Sequence, residues 1–128
     1  MAFECENVLT ITGNGSDLQL FKNKAQAEDI ILSIAKLHEM PAGNDADTWC
    51  QTHFGLPDNL EAEVDEDDNF VAYWFWTEDV PPYKWLRQVS IIFPMLHFES
   101  LYWDPNNGKG SLHVQNGKLI EFVEHVDD

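Results

Sequence analysis

The alternation of apolar and polar positions marks out the elements of this chain. Asn7-Val8-Leu9-Thr10-Ile11-Thr12 puts Val8 and Thr10 on one side of an extended segment and Leu9 and Ile11 on the other, and all four are good strand formers. Gly13-Asn14-Gly15 breaks it, and Ser16 is placed to cap a helix from Asp17. Along that helix Leu18, Phe21, Ala25 and Ile30 recur at near-helical spacing, while Lys22 and Lys24 face water. Ile30 to Leu37 alternates less cleanly and fits either the end of the helix or a short strand, closed by Pro41, Gly43 and Asn44. In 45–69 the apolar residues Trp49, Phe54, Leu56 and Leu60 are isolated among acids, which predicts a short helix or turn near Trp49–Phe54 and a mobile acidic loop across Glu61–Asn69.

The second half reads more firmly. Phe70 to Trp76 is a strand, apolar at both parities, so it is buried on both faces or keeps one face for a partner. Pro81-Pro82 opens a helix with the stripe Trp85, Val89, Ile92 and Phe93, and Pro94 stops it. Leu96 to Trp103 is the next strand. Asn106-Asn107-Gly108 turns the chain, and Ser111–Val114 with Leu119–Val123 around Asn116-Gly117 forms a hairpin with a type I′ signal. The expected fold is α+β: one domain over 1–128, close to the split βαβ plan, with two helices on one face of an antiparallel sheet and the hairpin at its end.

Part of this pattern resembles a known family. Cys5-Glu6-Asn7-Val8-Leu9-Thr10-Ile11-Thr12-Gly13, then Trp49 and Phe54-Gly55, then Pro81-Pro82, Phe93-Pro94 and Leu96–Tyr102 resemble the YubB/Api-like proteins of plasmids and phages, over about three quarters of the chain and without the acidic segment. The resemblance implies a ferredoxin-like sandwich and a mobile-element origin, and carries no catalytic residue across. The chain departs from the family at Glu78-Asp79-Val80-Pro81-Pro82, where the family tends to show Trp-Ser-Pro-Pro.

Charge changes this picture most. From Asp45 to Asp79 there are eleven carboxylates and no lysine or arginine, within a formal net charge of −16. Such a field repels nucleic acid and anionic membranes and attracts basic protein surfaces. The expected partner-binding residues are Asp58, Glu61, Glu63, Asp65, Glu66, Asp67, Asp68, Glu78 and Asp79, with Trp76 as an aromatic anchor beside them.

The remaining chemistry is thin. Asp65, Asp67 and Asn69 mimic the start of a calcium loop, but Phe70 stands where glycine is needed and Trp76 where glutamate is, so only a loose calcium site is left open. Cys50 and His53, one helical turn apart, lack a second ligand pair beyond the scattered Cys5 and His38, and a buried Cys50 beside Trp49 is the simpler reading. No serine lies in a nucleophile motif, and Gly13-x-Gly15 lacks the rest of a phosphate loop.

No enzyme, cofactor or resident metal is therefore expected. Tyr73, Trp74, Phe75 and Trp76 form an aromatic run that could stack bases, but the seven Lys and Arg residues are too few to hold phosphates, so no direct nucleic-acid binding is expected. Two cysteines, no basic-then-apolar leader and no apolar stretch of roughly eighteen residues lead to the expectation of a cytoplasmic protein without a membrane span. The expected function is an acidic protein-binding module, one form of which imitates nucleic acid in a basic cleft. The alternative is an adaptor that binds through its aromatic strand; a homodimer is compatible with either.

Overall fold

The central strand β1 (Glu4–Thr12) sets the plan of the molecule. Its residues alternate between full burial (Cys5, Asn7, Leu9, Ile11) and partial exposure (Glu6, Val8, Thr10), so a single layer covers one side only. The computed structural model describes residues 4–27, 29–38, 40–78, 82–104 and 108–125, with the backbone alone at 78, 104, 124 and 125. The elements that follow β1 are α1 (Gly15–Ala25), α2 (Ile34–His38), α3 (Ala46–Phe54), β2 (Glu63–Glu66), β3 (Phe70–Glu78), α4 (Tyr83–Ile92), β4 (His97–Asp104), β5 (Gly108–Gln115) and β6 (Lys118–His125). The strands form one sheet in the order β2-β3-β1-β4-β5-β6, with every neighbouring pair antiparallel.

One face of the sheet carries the core. Leu9 and Ile11 of β1, Val71, Tyr73 and Phe75 of β3, Phe98 and Tyr102 of β4 and Leu112 and Val114 of β5 all point the same way. They meet Leu18, Phe21 and Ala25 of α1, Ile34 and Leu37 of α2, Cys50 of α3 and Trp85, Leu86 and Val89 of α4. Phe21 is the centre of an aromatic knot, with ring centroids 5.0 Å from Phe93, 5.8 Å from Phe98 and 6.2 Å from Tyr73. Edge-on and tilted pairs of this kind add to the burial term.

The α+β class agrees with the pattern; several details do not. Four helices lie among the described residues, where the expected plan had two on the sheet: α3 falls where a short helix or turn was expected near Trp49–Phe54, and α2 forms because the segment after α1 buries Leu32, Ile34 and Leu37 against the core. Asn14 rather than Ser16 caps α1, its Oδ1 accepting the Asp17 N–H at 2.9 Å, so the helix starts two residues earlier than Ser16 suggests. The segment expected to be a mobile loop contains β2, whose Glu63 to Glu66 pair with Trp74 to Val71. An acid-rich sequence has little intrinsic strand preference, and backbone pairing to the long edge of β3 overrides it. The terminal hairpin joins the sheet at its end, where β5 pairs with β4. The turns expected over 79–81 and 106–107 lie outside the described residues.

The hairpin turn is also docked. Asn116 (φ 49°) and Gly117 (φ 77°) both have the positive φ that a type I′ turn requires. The Gly117 N–H donates to Ser90 Oγ at 2.8 Å, and the Arg87 Nε–H donates to the Gly117 carbonyl at 3.1 Å, so the turn is pinned to α4. A Cβ at Gly117 would stand 2.7 Å from Ile91 Cγ1. Gly117→Ala therefore combines a strained φ with a clash, and should lower stability by about 1–3 kcal/mol in urea unfolding. A change within a few tenths of a kcal/mol would mean that the turn is not held against α4.

Candidate functional site

The sheet face opposite the helices is uncovered among the described residues, and the register shows which side chains share it. Directly opposite residues in an antiparallel pair point to the same side. One row across the sheet is Glu63, Trp74, Val8, Leu101, Ser111 and Val123. The row on one side of it is Trp76, Glu6, Trp103 and Lys109, and on the other Asp65, Ala72, Thr10, Glu99, His113 and Glu121. Four large apolar side chains at the centre are well exposed: Trp74 37%, Trp76 54%, Leu101 47% and Trp103 43%. Three tryptophans on one uncovered surface are a cost in water that a monomer rarely carries without use.

The acidic residues divide around this face. Glu63 and Asp65 lie on it, one opposite Trp74 and the other opposite Ala72. Glu66 points to the helix side, where its carboxylate pairs with Lys22 Nζ of α1 at 3.0 Å. Asp67 and Asp68 form the turn into β3: the Asp67 N–H donates to the Phe70 carbonyl, and the Asp68 N–H donates to the Asp67 carboxylate. Glu61 is exposed with φ 54°. The Glu78 side chain and Asp79 lie outside the described residues.

Asp58 is used differently. Its Oδ1 accepts from Ser33 Oγ at 2.7 Å and from the Ala35 N–H at 2.9 Å, which ties the chain before β2 to α2. The Asp58 N–H in turn donates to Asp47 at 2.9 Å. This carboxylate holds the fold together. Asp58→Ala should lower stability by about 1–3 kcal/mol, the cost of leaving those donors without an acceptor, as measured by denaturant unfolding. An unchanged midpoint would return Asp58 to the surface set.

Cysteine and histidine sites do not assemble from the candidates named above. Cys50 is buried, and burial, followed by the charges of Asp58 and Asp47, pushes its thiol up to about 12, which leaves it protonated and inert. His53 Nδ1 lies 3.0 Å from the Trp49 carbonyl, and its ring stacks on the Trp49 indole rather than turning toward Cys50. Among the described residues no three His, Cys, Asp or Glu side chains converge as a metal site. A hydrogen bond of 3.0 Å joins His97 Nδ1 and His113 Nε2 at the rim of the open face, one nitrogen donating and the other accepting. A cleft of about 160 Å³ beside His113, lined also by Thr10, Glu99, Leu101 and Glu121, is shallow for a small-molecule site.

The His38 imidazole is half-buried, set against Phe54 with ring centroids 4.6 Å apart. Burial, with a smaller contribution from Lys24, lowers its pKa from 6.5 to about 4. The unfolded chain then binds more protons than the folded one between pH 6.5 and about 4, so this group makes stability fall as pH is lowered through that window. Urea midpoints of His38→Leu and the wild type should therefore diverge on acidification from pH 7 to 5, with the variant losing less. Parallel curves would show that His38 does not titrate with folding.

The sequence points to Trp74 and Trp76 but misses Trp103, Leu101 and Glu6. These come together with the β3 residues only through the pairing of β1 with both β3 and β4. The available signal was the apolar run at both parities of Leu101-Tyr102-Trp103, of which Tyr102 is buried while Leu101 and Trp103 are not.

This is an α+β protein with a six-stranded antiparallel sheet and helices on one side. No family model matches the chain, and no curated protein matches it. Among solved structures it is similar to the Api92 protein of Yersinia pseudotuberculosis, a DUF1281 protein, at 18% identity and a TM-score of 0.50. That similarity covers 68% of this chain and 33% of the Yersinia protein, so the chain spans about a third of that protein's length and shares fold alone. Among the described residues no helix is long and apolar enough to cross a membrane.

Proposed function

We propose that this chain is a non-catalytic protein-binding module that presents an acid-rimmed aromatic sheet face to a basic partner protein. The observation that carries this reading is the pairing of β2 with β3, which sets Glu63 beside Trp74 and Asp65 beside Ala72 on the uncovered face. From sequence, an acidic mimic of nucleic acid and an adaptor working through its aromatic strand look like rival functions using different surfaces. The register supports merging them: charge gives long-range attraction and orientation, and the tryptophans give desolvated anchors. Imitation of nucleic acid in a basic cleft is the form of this function that the net charge of −16 favours.

The strand order is in keeping with a ferredoxin-like core. Elements β1, α1, β2, β3, α4 and β4 place their strands as β2-β3-β1-β4, and β5 and β6 add to that sheet at the β4 edge. A plasmid or phage origin and a cytoplasmic setting belong to the same proposal, and the first rests on the family resemblance of the sequence.

The test is capture of partners from a cell lysate by the wild type, by Glu63→Gln/Asp65→Asn and by Trp74→Ala/Trp76→Ala, each at low and high salt. A shared basic protein retained by the wild type should be lost from both variants, the tryptophan pair costing at least about 2 kcal/mol in a follow-up titration. Salt should release it from the wild type. Retention by both variants would sink the reading, and loss from the carboxylate variant alone would favour a mimic that does not use the sheet.

A further inference from the structure

The row Trp76, Glu6, Trp103 is the most specific feature of the open face. Glu6 lies directly opposite Trp76 on β3 and directly opposite Trp103 on β4, so all three project to the same side with the carboxylate in the middle. Strands lie about 4.8 Å apart, which sets the two indoles on strands about 10 Å from one another with Glu6 between them. Trp76 is 54% and Trp103 43% exposed, and Glu6 is half-buried on the floor between them. Negative charge continues on the neighbouring rows with Glu4 and Glu63, and one row further on with Asp65.

We infer that this row is a receptor for a single cationic side chain, an arginine or lysine presented by a basic segment of the partner protein. An aromatic face attracts a cation through its quadrupole, and tryptophan does so best. A carboxylate between two such faces adds a charge-assisted hydrogen bond, which a guanidinium takes with two parallel N–H groups. The indoles also exclude water from that bond, which strengthens it. Other occupants fit less well. A phosphate backbone would meet Glu6, Glu63 and Asp65, and a second copy would bring another −16 against this rim. Lys109, opposite Trp103 on its far side, lies on the same row and sets one limit of the receptor.

This inference rests on the binding role proposed above and locates it at one row, so the experiment must separate the two. ¹⁵N-labelled protein is titrated with hexa-arginine, hexa-lysine and hexa-glutamate peptides while the five tryptophan indole N–H resonances are followed. The arginine peptide should shift Trp76 and Trp103 and leave buried Trp85 in place; the lysine peptide should do so more weakly, and the glutamate peptide not at all. Glu6→Gln, nearly isosteric and on the exposed side of β1, should weaken the arginine peptide at least about fivefold with an unchanged spectrum of the free protein. Asp67→Asn/Asp68→Asn should change it less than twofold.

Shifts confined to the β2–β3 turn, with Glu6→Gln binding like the wild type, would overturn the receptor while leaving an acidic binding module standing. Absence of any arginine-peptide binding would overturn both. Indole shifts that depend on protein concentration alone, or that a single-stranded oligothymidine reproduces, would assign the face to a second copy or to nucleic acid and overturn it as well.

Discussion

Strand β1 is hydrogen-bonded on both sides, to β3 and to β4, and its side chains alternate between two quite different environments. Everything else follows from that placement. Leu9 and Ile11 fix which side of the sheet must be covered, and α1, α2, α3 and α4 supply the cover. The same pairing forces Trp74, Trp76, Leu101 and Trp103 to the other side, where each stays well exposed. A one-residue slip of β1 against either neighbour would exchange the two faces, so the hydrophobic demand of the core also fixes the composition of the open face.

The two edges of the sheet are managed in opposite ways. β2 is four residues long, exposed throughout and rich in carboxylates, a charged and short edge of the kind that resists pairing with further strands. It also carries the acidic rim of the open face, so a device that guards the edge and a device that attracts a basic partner are the same residues. β6 is longer and more apolar, with Leu119, Ile120 and Phe122 well exposed, and its position is held by the turn that α4 grips through Arg87 and Ser90.

Not every acid in the dense stretch is a surface charge. Asp45 caps α3 by accepting the Thr48 N–H at 2.9 Å, and Asp58 holds α2 to the chain that leads into β2. Glu66 faces α1. Composition treats these carboxylates as one field; in the fold some are capping and bracing groups, and of the expected set whose side chains are described, Glu63 and Asp65 stand in register with the aromatic surface.

The strand at β1, the helix α4 with Trp85 and Val89 of its stripe, though not the exposed Ile92, and the Asn116-Gly117 hairpin were legible in the sequence, because each is a local pattern: period two, period 3.6, or a pair of residues that tolerate positive φ. The net charge and the aromatic richness of Phe70 to Trp76 were legible too, since neither depends on neighbours distant along the chain. What the sequence could not contain was the register. That Glu63 should become a strand residue, that Glu6 should stand between Trp76 and Trp103, and that Asp58 should reach Ser33 all depend on contacts between segments 11 to 97 residues apart. Those contacts are chosen by the burial of one face of the whole sheet at once, a condition that no window of local sequence expresses.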